Sequence, residues 1–127
     1  MGHFKTLDLP TFADGRGSLT VLENALPFQI VRSYWIYHVD GKMRGGHRHQ
    51  KTMQALVALN GQVDVYMFDG VREETIILNQ PSQCLLVEPK DWHTMTIHAA
   101  SVLLVMASRH FDKNNYLVTP YEPIKYD

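Results

Sequence analysis

The chain has 127 residues, of which 45% are hydrophobic and 20% are charged, and its formal net charge is -1. This length and composition predict one soluble globular domain spanning residues 1–127. The near-zero net charge provides no overall field for a polyanion, which argues against nucleic acids and anionic membrane surfaces as partners.

The N-terminal region and the cysteine content bear on the cellular compartment. Residues 1–10 lack the apolar core of a signal peptide, and no stretch reaches the ~18 apolar residues of a membrane span. Cys84 is the only cysteine, so a disulfide within the chain is impossible. These features predict a cytoplasmic protein.

Short runs rich in β-branched and aromatic residues predict strands along most of the chain. In chain order they cover residues 18–23, 29–39, 53–59, 62–68, 74–78, 83–88, 93–98 and 101–108. Asn60–Gly61 is the strongest hairpin signal, because both residues tolerate positive φ in a type I′ turn. No amphipathic helix of useful length is visible. The pattern predicts an all-β, antiparallel sandwich or barrel with an irregular tail over residues 112–127.

The segment between Gly46 and Gly61 carries the clearest functional motif. Residues i and i+2 of a strand face the same side, so His47 and His49 are expected to project together. Four residues separate His49 from Gln54, six more separate Gln54 from Gly61, and a later Pro-x-x-x-His motif ends at His93. This is the spacing of the two cupin motifs.

The histidines have two possible uses. Metal-binding cupins have a carboxylate at the position of Gln54, and a neutral amide binds a cation more weakly, although three imidazoles can still hold Zn, Fe or Ni. Imidazoles also titrate near pH 6.5 and can transfer protons at neutral pH. The missing carboxylate favours proton transfer for the pair His47 and His49. For His93 alone, a structural role is the simpler interpretation.

Two arginines indicate what the pocket binds. Arg32 lies in a predicted strand with Tyr34, Trp35 and Tyr37, and Arg44 precedes His47 by three residues. Guanidinium groups at a pocket mouth suit phosphate, and aromatic rings can stack on a base or a sugar. The alternative is a surface arginine beside an aromatic core strand.

These residues form an ordered set that resembles a known family. The segments Asp14–Leu19, Arg32–Tyr34, Arg44–His49, Leu59–Gly61 and Pro89–His93 resemble the WxcM-like cupins, within them the dTDP-4-keto-6-deoxyglucose 3,4-ketoisomerases of O-antigen and S-layer pathways. The likeness covers about residues 12–112. It implies a jelly-roll isomerase that uses no metal or other cofactor and forms a homodimer by exchanging its N-terminal strand. The implied substrate is a dTDP-linked 4-keto-6-deoxy sugar, and the implied product is its 3-keto isomer.

The resemblance also implies roles for individual residues. His49 would act as the base and His47 as its partner at C3 and C4 of the sugar, and Tyr37 would donate to the developing oxyanion. Substrate-binding positions would be Arg44, Arg32, Arg16 from the partner subunit, Tyr34, Gln54, Trp92 as a wall of the site, and His93.

Two features depart from the family pattern. Asn115–Pro120 replaces an Asp-Tyr-Ile-Arg-like tail, and Arg48 stands where a small residue is expected. They bear on which keto-sugar is used and on the stereochemistry at C4. A metal-dependent cupin dioxygenase or isomerase and a non-catalytic sugar-nucleotide-binding module remain alternatives. A 3,5-epimerase is disfavoured because its His–Asp pair is not evident.

Overall fold

The computed structural model describes residues 4–39, 41, 43–49, 51–112 and 116–117, without the side chains of residues 47–49 and 116–117. Every secondary-structure element in this part of the chain is a β-strand, and every strand pairing is antiparallel. Among the described residues, no helix could cross a membrane. The predicted all-β, antiparallel fold is therefore confirmed.

The first sheet has five strands, with β6 at its centre. In spatial order they are β1 (Thr6–Asp8), β9 (Gln83–Val87), β6 (Gln54–Asn60), β11 (Val102–Ala107) and β4 (Arg32–Ile36). The continuous apolar run Ala55–Ala58 of β6 is buried throughout, which is expected of a strand covered on both faces.

The second sheet also has five strands and packs its inner face against the first. In spatial order they are β12 (Tyr116–Leu117), β5 (Met43–His49), β10 (Trp92–Ile97), β7 (Val63–Phe68) and β8 (Glu73–Leu78). Buried and partly exposed residues alternate along β7 and β10, so only one face of each strand is in the core.

Two hydrophobic clusters stabilise this arrangement. The larger lies between the sheets and contains the inward residues of both, including Leu56, Val65, Ile97 and Leu103. The smaller lies on the outer face of the first sheet, where Leu22, Leu26 and Phe28 cover Ala55, Val57, Cys84 and Leu86. The segment before β4 thus acts as a cover for one sheet.

A short hairpin near the N-terminus stands apart from both sheets. It consists of β2 (Thr11–Asp14) and β3 (Gly17–Thr20), which in the described part of the chain pair only with each other. Phe12 and Leu19 are opposite one another in the hairpin and are 63% and 62% exposed. The hairpin therefore presents an uncovered apolar pair.

The predicted hairpin at Asn60–Gly61 is wrong. β6 belongs to the first sheet and β7 to the second, so the turn connects two layers. Only Gly61 of the pair has positive φ, at 75°, whereas a type I′ turn needs two such residues. A Cβ on Gly61 would collide with Ser101, whose Oγ accepts the N–H of Gln62 at 2.9 Å and donates to its carbonyl at 3.0 Å. This contact between distant segments closes the corner.

The C-terminal tail is not irregular throughout. Tyr116–Leu117 form β12 and pair with β5, with Tyr116 opposite His49 and Leu117 opposite Arg48. Residues 113–115 and 118–127 lie outside the described part of the structure. The tail therefore returns to the strand that carries the histidine motif.

Candidate active site

Polar residues occupy one end of the space between the sheets. Gln54 begins β6 and is 1% exposed, and His93 near the start of β10 is also 1% exposed. Arg32 begins β4 at the same level as Gln54, because Ala107 of β11 is the register partner of both. Arg32 and Gln54 thus begin their strands, and His93 is the second residue of its strand, at the same end of the fold.

A bulge in β5 changes which of its residues share a face. Met95 pairs with Arg44 and Thr94 with Gly45, but His93 pairs with His47, so Gly46 is an extra residue. In a regular strand Arg44 and His47, three residues apart, would lie on opposite faces. The bulge places both in register with the inward residues Met95 and His93.

Glycine makes this bulge possible. Gly45 and Gly46 have φ values of 94° and 79°, in the region that L side chains rarely adopt. A Cβ on Gly45 would lie 3.0 Å from the carbonyl oxygen of His93 and 3.2 Å from the Cα of Thr94. The two strands therefore approach each other at a point where a side chain would not fit.

The predicted pair His47 and His49 is placed by backbone register. His47 is opposite His93, and His49 shares its face of the strand because it lies two residues further along. The side chains of residues 47–49 lie outside the described part of the structure. Their use as base and partner remains a prediction.

The turn between β9 and β10 holds His93. Asp91 closes this turn, since its N–H donates to the carbonyl of Glu88 and its Oδ2 accepts the N–H of Glu88, both at 2.9 Å. Nδ1 of His93 lies 3.4 Å from the carbonyl oxygen of Asp91. With Nδ1 protonated, the imidazole donates to this carbonyl and presents Nε2 as an acceptor. Burial raises the pKa of the Asp91 carboxyl, against the opposing hydrogen bonds from Glu88 and Lys90.

Tyr34 and Arg32 form a stacked group on the inner face of β4. The Arg32 guanidinium carbon lies 4.4 Å from the ring centroid of Tyr34 and 5.3 Å from that of Phe111. The Tyr34 hydroxyl accepts a hydrogen bond of 3.3 Å from Nε2 of Gln54. Among the described carboxylates, none lies within ion-pair distance of Arg32. The stacked cation is therefore available to an anion.

A cleft of about 710 Å³ opens between β4 and β5. Arg32, Tyr34, Tyr37 and Arg44 are among the residues that line it. The structure therefore brings these predicted residues to one cavity. A larger groove of about 970 Å³ adjoins it through Phe111 and carries Lys51, Arg109 and His110.

Three other predicted residues lie away from the buried polar group. Tyr37 follows the end of β4, is 53% exposed and packs edge-on against His38, so it stands at the rim of the cleft. Trp92 is next to His93 on β10 and therefore faces the outer side of the sheet, where it meets Tyr66. Arg16 is on the exposed hairpin, where its Nη2 lies 2.7 Å from Oδ2 of Asp14. The proposed roles of these three residues are not tested by this placement.

Gln54 occupies the carboxylate position of the cupin motif. No group of three His, Cys, Asp or Glu able to hold a metal is found among the described side chains, which do not include those of His47 and His49. The metal-binding alternative is therefore not tested by the structure. What is visible is that the amide nitrogen of Gln54 is bonded to Tyr34.

Several contributors to the site were not recognised in the sequence. They are the Gly45–Gly46 bulge, Ala107 between Gln54 and Arg32, and Phe111 against Arg32. Two successive glycines before a strand motif are a usable signal for a bulge. The places of Ala107 and Phe111 depend on contacts between distant segments and leave no local signal.

Comparison with known proteins gives consistent matches. The family model described as FdtA, WxcM-like, C-terminal, matches residues 2–126. The chain is 37% identical over 117 residues to the TDP-4-oxo-6-deoxy-alpha-D-glucose-3,4-oxoisomerase of Aneurinibacillus thermoaerophilus, a match that covers 89% of this chain and 84% of the relative.

Solved structures of similar proteins agree with this match. QdtA, a sugar 3,4-ketoisomerase from Thermoanaerobacterium thermosaccharolyticum solved in complex with TDP, is 36% identical, with a TM-score of 0.86 over 91% of this chain and 87% of QdtA. WlaRB, a TDP-quinovose 3,4-ketoisomerase from Campylobacter jejuni, is 35% identical, with a TM-score of 0.87 over 94% of this chain and 95% of WlaRB. The chain thus belongs to the WxcM-like family of FdtA.

Proposed function

We propose that this protein is a 3,4-ketoisomerase that converts a dTDP-linked 4-keto-6-deoxyhexose to its 3-keto isomer. The observation that carries the proposal is the β5 bulge, which places Arg44 and His47 in register with the inward residues Met95 and His93. On this proposal, Arg44 in the lining of the cleft stands beside histidines that can transfer protons. The relatives that this chain resembles over most of its length are named as isomerases of this kind.

The reaction needs a base, an acid and a donor to oxygen. The ketone at C4 acidifies the proton on C3, and an imidazole that titrates near pH 6.5 can remove it. The C3–H bond breaks and its electrons form the enediolate, with negative charge on the C4 oxygen. Protonation of the C4 oxygen, loss of the O3 proton and protonation of carbon C4 then leave the ketone at C3 and a hydroxyl at C4. We assign His49 as the base and His47 as its partner.

Tyr34 is a better candidate than Tyr37 for the donor to the sugar oxygen. Tyr34 lies on the inner face of β4, and its hydroxyl is oriented by Gln54. A fixed donor stabilises a developing oxyanion more than a solvated one, because it needs no reorientation during the reaction. Tyr37 is 53% exposed, and its ring packs edge-on against His38 at the rim of the cleft.

The diphosphate is assigned to the arginines of the cleft. Arg32 is held by two aromatic rings, and a guanidinium group can donate two parallel hydrogen bonds to phosphate. Arg44 lines the same cleft from β5. The adjoining groove is lined by Lys51 and Arg109 together with Asp112, so the nucleotide would extend along a surface with two cationic side chains and one anionic side chain. With this substrate we also propose a cytoplasmic location, since nucleotide-linked sugars are made there.

The protein is further proposed to be a homodimer that exchanges its N-terminal strand. The support is the hairpin, which exposes Phe12 and Leu19 and pairs with neither sheet in the described part of the chain. Replacing both by Ser is expected to give a monomer in light scattering. Val71→Ser, at an 86% exposed site in a turn, is the control and should leave the dimer intact. A wild-type monomer would contradict the proposal.

The reaction is tested by proton exchange. The protein is incubated with dTDP-4-keto-6-deoxyglucose in deuterated water, and C3 and C4 are followed by NMR. We expect the 3-keto isomer with solvent deuterium at C4. A lack of exchange with any nucleotide-linked keto-sugar would contradict the proposal. The metal-dependent and non-catalytic alternatives receive no support from the named relatives.

A further inference from the structure

We infer that Gln54 is a positioning residue that holds the Tyr34 hydroxyl so that its proton is directed to the substrate. The inference rests on the proposed function. It explains why the first residue of β6 has an amide where metal-binding cupins have a carboxylate.

The contact between these residues crosses the first sheet. β6 and β4 are not neighbours, because β11 lies between them. Two strand spacings amount to about 10 Å, so both side chains must lean toward each other above β11. The residue below them, at the level of Gln54, is Ala107. Its small side chain leaves the space that the Tyr34 ring needs to reach Gln54.

The direction of the hydrogen bond decides what the hydroxyl can do. Nε2 of Gln54 donates to the Tyr34 oxygen at 3.3 Å. A hydroxyl that accepts in this way keeps its own proton for a different acceptor. An ionised carboxylate at the same place could only accept, and it would take the Tyr34 proton for itself. A protonated carboxyl group at position 54 would again donate a hydrogen bond to the Tyr34 oxygen.

Packing alone does not account for the amide. The next inward residues of β6 are Leu56 and Ala58, both apolar and buried. A methionine at position 54 would have nearly the same shape and would avoid the desolvation of a buried amide. Gln54 has an amide that methionine lacks, and the nitrogen of this amide is directed at Tyr34.

The test compares Gln54→Glu and Gln54→Met with the wild type, using kcat, KM and the pH profile of isomerisation. Gln54→Glu is expected to lower kcat at pH 8 by about tenfold or more, with KM changed by less than about threefold. Its activity relative to wild type should rise as the pH falls, because the protonated Glu regains a donor. Gln54→Met should show a similar loss that does not vary with pH, and it remains informative if Gln54→Glu fails to fold.

A double-mutant cycle separates positioning from a general effect on structure. In a Tyr34→Phe background, Gln54→Glu should cause no further loss of kcat. Leu56→Met, on the same face of β6, is the packing control and should leave the pH profile unchanged. The inference is overturned if Gln54→Glu keeps wild-type kcat, or if its loss is independent of pH and adds fully to that of Tyr34→Phe. A wild-type chain that isomerises no dTDP-linked keto-sugar would instead overturn the proposed function.

Discussion

The two ends of the space between the sheets are built by the same strands but have opposite chemistry. At the polar end, the inward residues of β4, β6 and β10 are Arg32, Gln54 and His93. Four residues further along each strand, at the apolar end, the inward residues are Ile36, Ala58 and Ile97. Four residues of a strand span about 13 Å. The change from apolar to polar inward side chains occurs within that distance.

This difference shows how the fold separates stability from chemistry. Apolar burial supplies the main stabilising free energy, and the apolar end offers it without polar groups to satisfy. Buried polar groups contribute little net stability and must be paired, as Gln54 and Tyr34 are. The apolar end therefore anchors the strands so that the polar end can hold groups in fixed positions. Four changes test this division, from the largest expected effect to the smallest.

His49→Asn is expected to have the largest effect, and to act on the reaction only. Removing one acid or base group should lower kcat by about 10²- to 10⁴-fold. The melting temperature should change little, because His49 lies at the polar end of β5. NMR of the isomerisation and thermal unfolding measure the two quantities. A stable variant with wild-type kcat would contradict the assignment of this residue.

Leu103→Ala tests the apolar end. Leu103 is fully buried between the sheets, and truncation of such a side chain costs about 2–5 kcal/mol in the free energy of unfolding. The kcat of the folded fraction should be unchanged. Urea titration measures the loss, with Val71→Ala as an exposed control expected to stay within about 0.5 kcal/mol. A fall in kcat without a loss of stability would show that the two ends are not separate.

Cys84 tests a third environment, the outer face of the first sheet. Burial raises the pKa of its thiol from 9.0 to about 11. Between these values the thiol ionises in the unfolded chain but not in the folded one, so the free energy of unfolding falls as the pH rises. The expected loss is about 2–3 kcal/mol between pH 9 and 11.

The control for this pH dependence is Cys84→Ala, which lacks the titrating group. The free energy of unfolding of the wild type, measured with urea, should fall relative to that of the variant as the pH rises from 9 to 11, so that the difference between them shrinks or reverses. Equal slopes for both proteins would show that the thiol is not shielded as the structure indicates.

A pair of glycine substitutions sharpens the comparison most directly. Gly45→Ala and Gly61→Ala both place a Cβ at positive φ and against a neighbouring segment, and each should cost about 1–3 kcal/mol. Only Gly45→Ala should also lower the kcat of the folded protein, because it disturbs the register of His47 and Arg44. Gly15→Ala, with no atom within 4 Å of the added Cβ, is the control. Equal effects of the first two on kcat would argue against a special role for the bulge.

The sequence pattern was sufficient for the elements that depend on near neighbours. Alternating and continuous apolar runs identified most strands of both sheets, and the His-x-His and Pro-x-x-x-His spacings predicted the two strands on which the proposed site depends. The family resemblance was confirmed over nearly the whole chain. The outward position of Trp92 also follows from the sequence once His93 is assigned inward, because successive residues of a strand face opposite sides.

By itself, then, the sequence determined the all-β class, most strands of the two sheets and the family, since each is encoded within a few neighbouring residues. It also predicted the histidine pair. Only the tertiary structure decided that Asn60–Gly61 is a corner between sheets, that an inserted Gly46 brings Arg44 and His47 to one face, and that Gln54 contacts Tyr34 across β11. These features depend on which distant strands pair and in which register. That choice is made by packing between segments far apart in the chain, so no local pattern contains it.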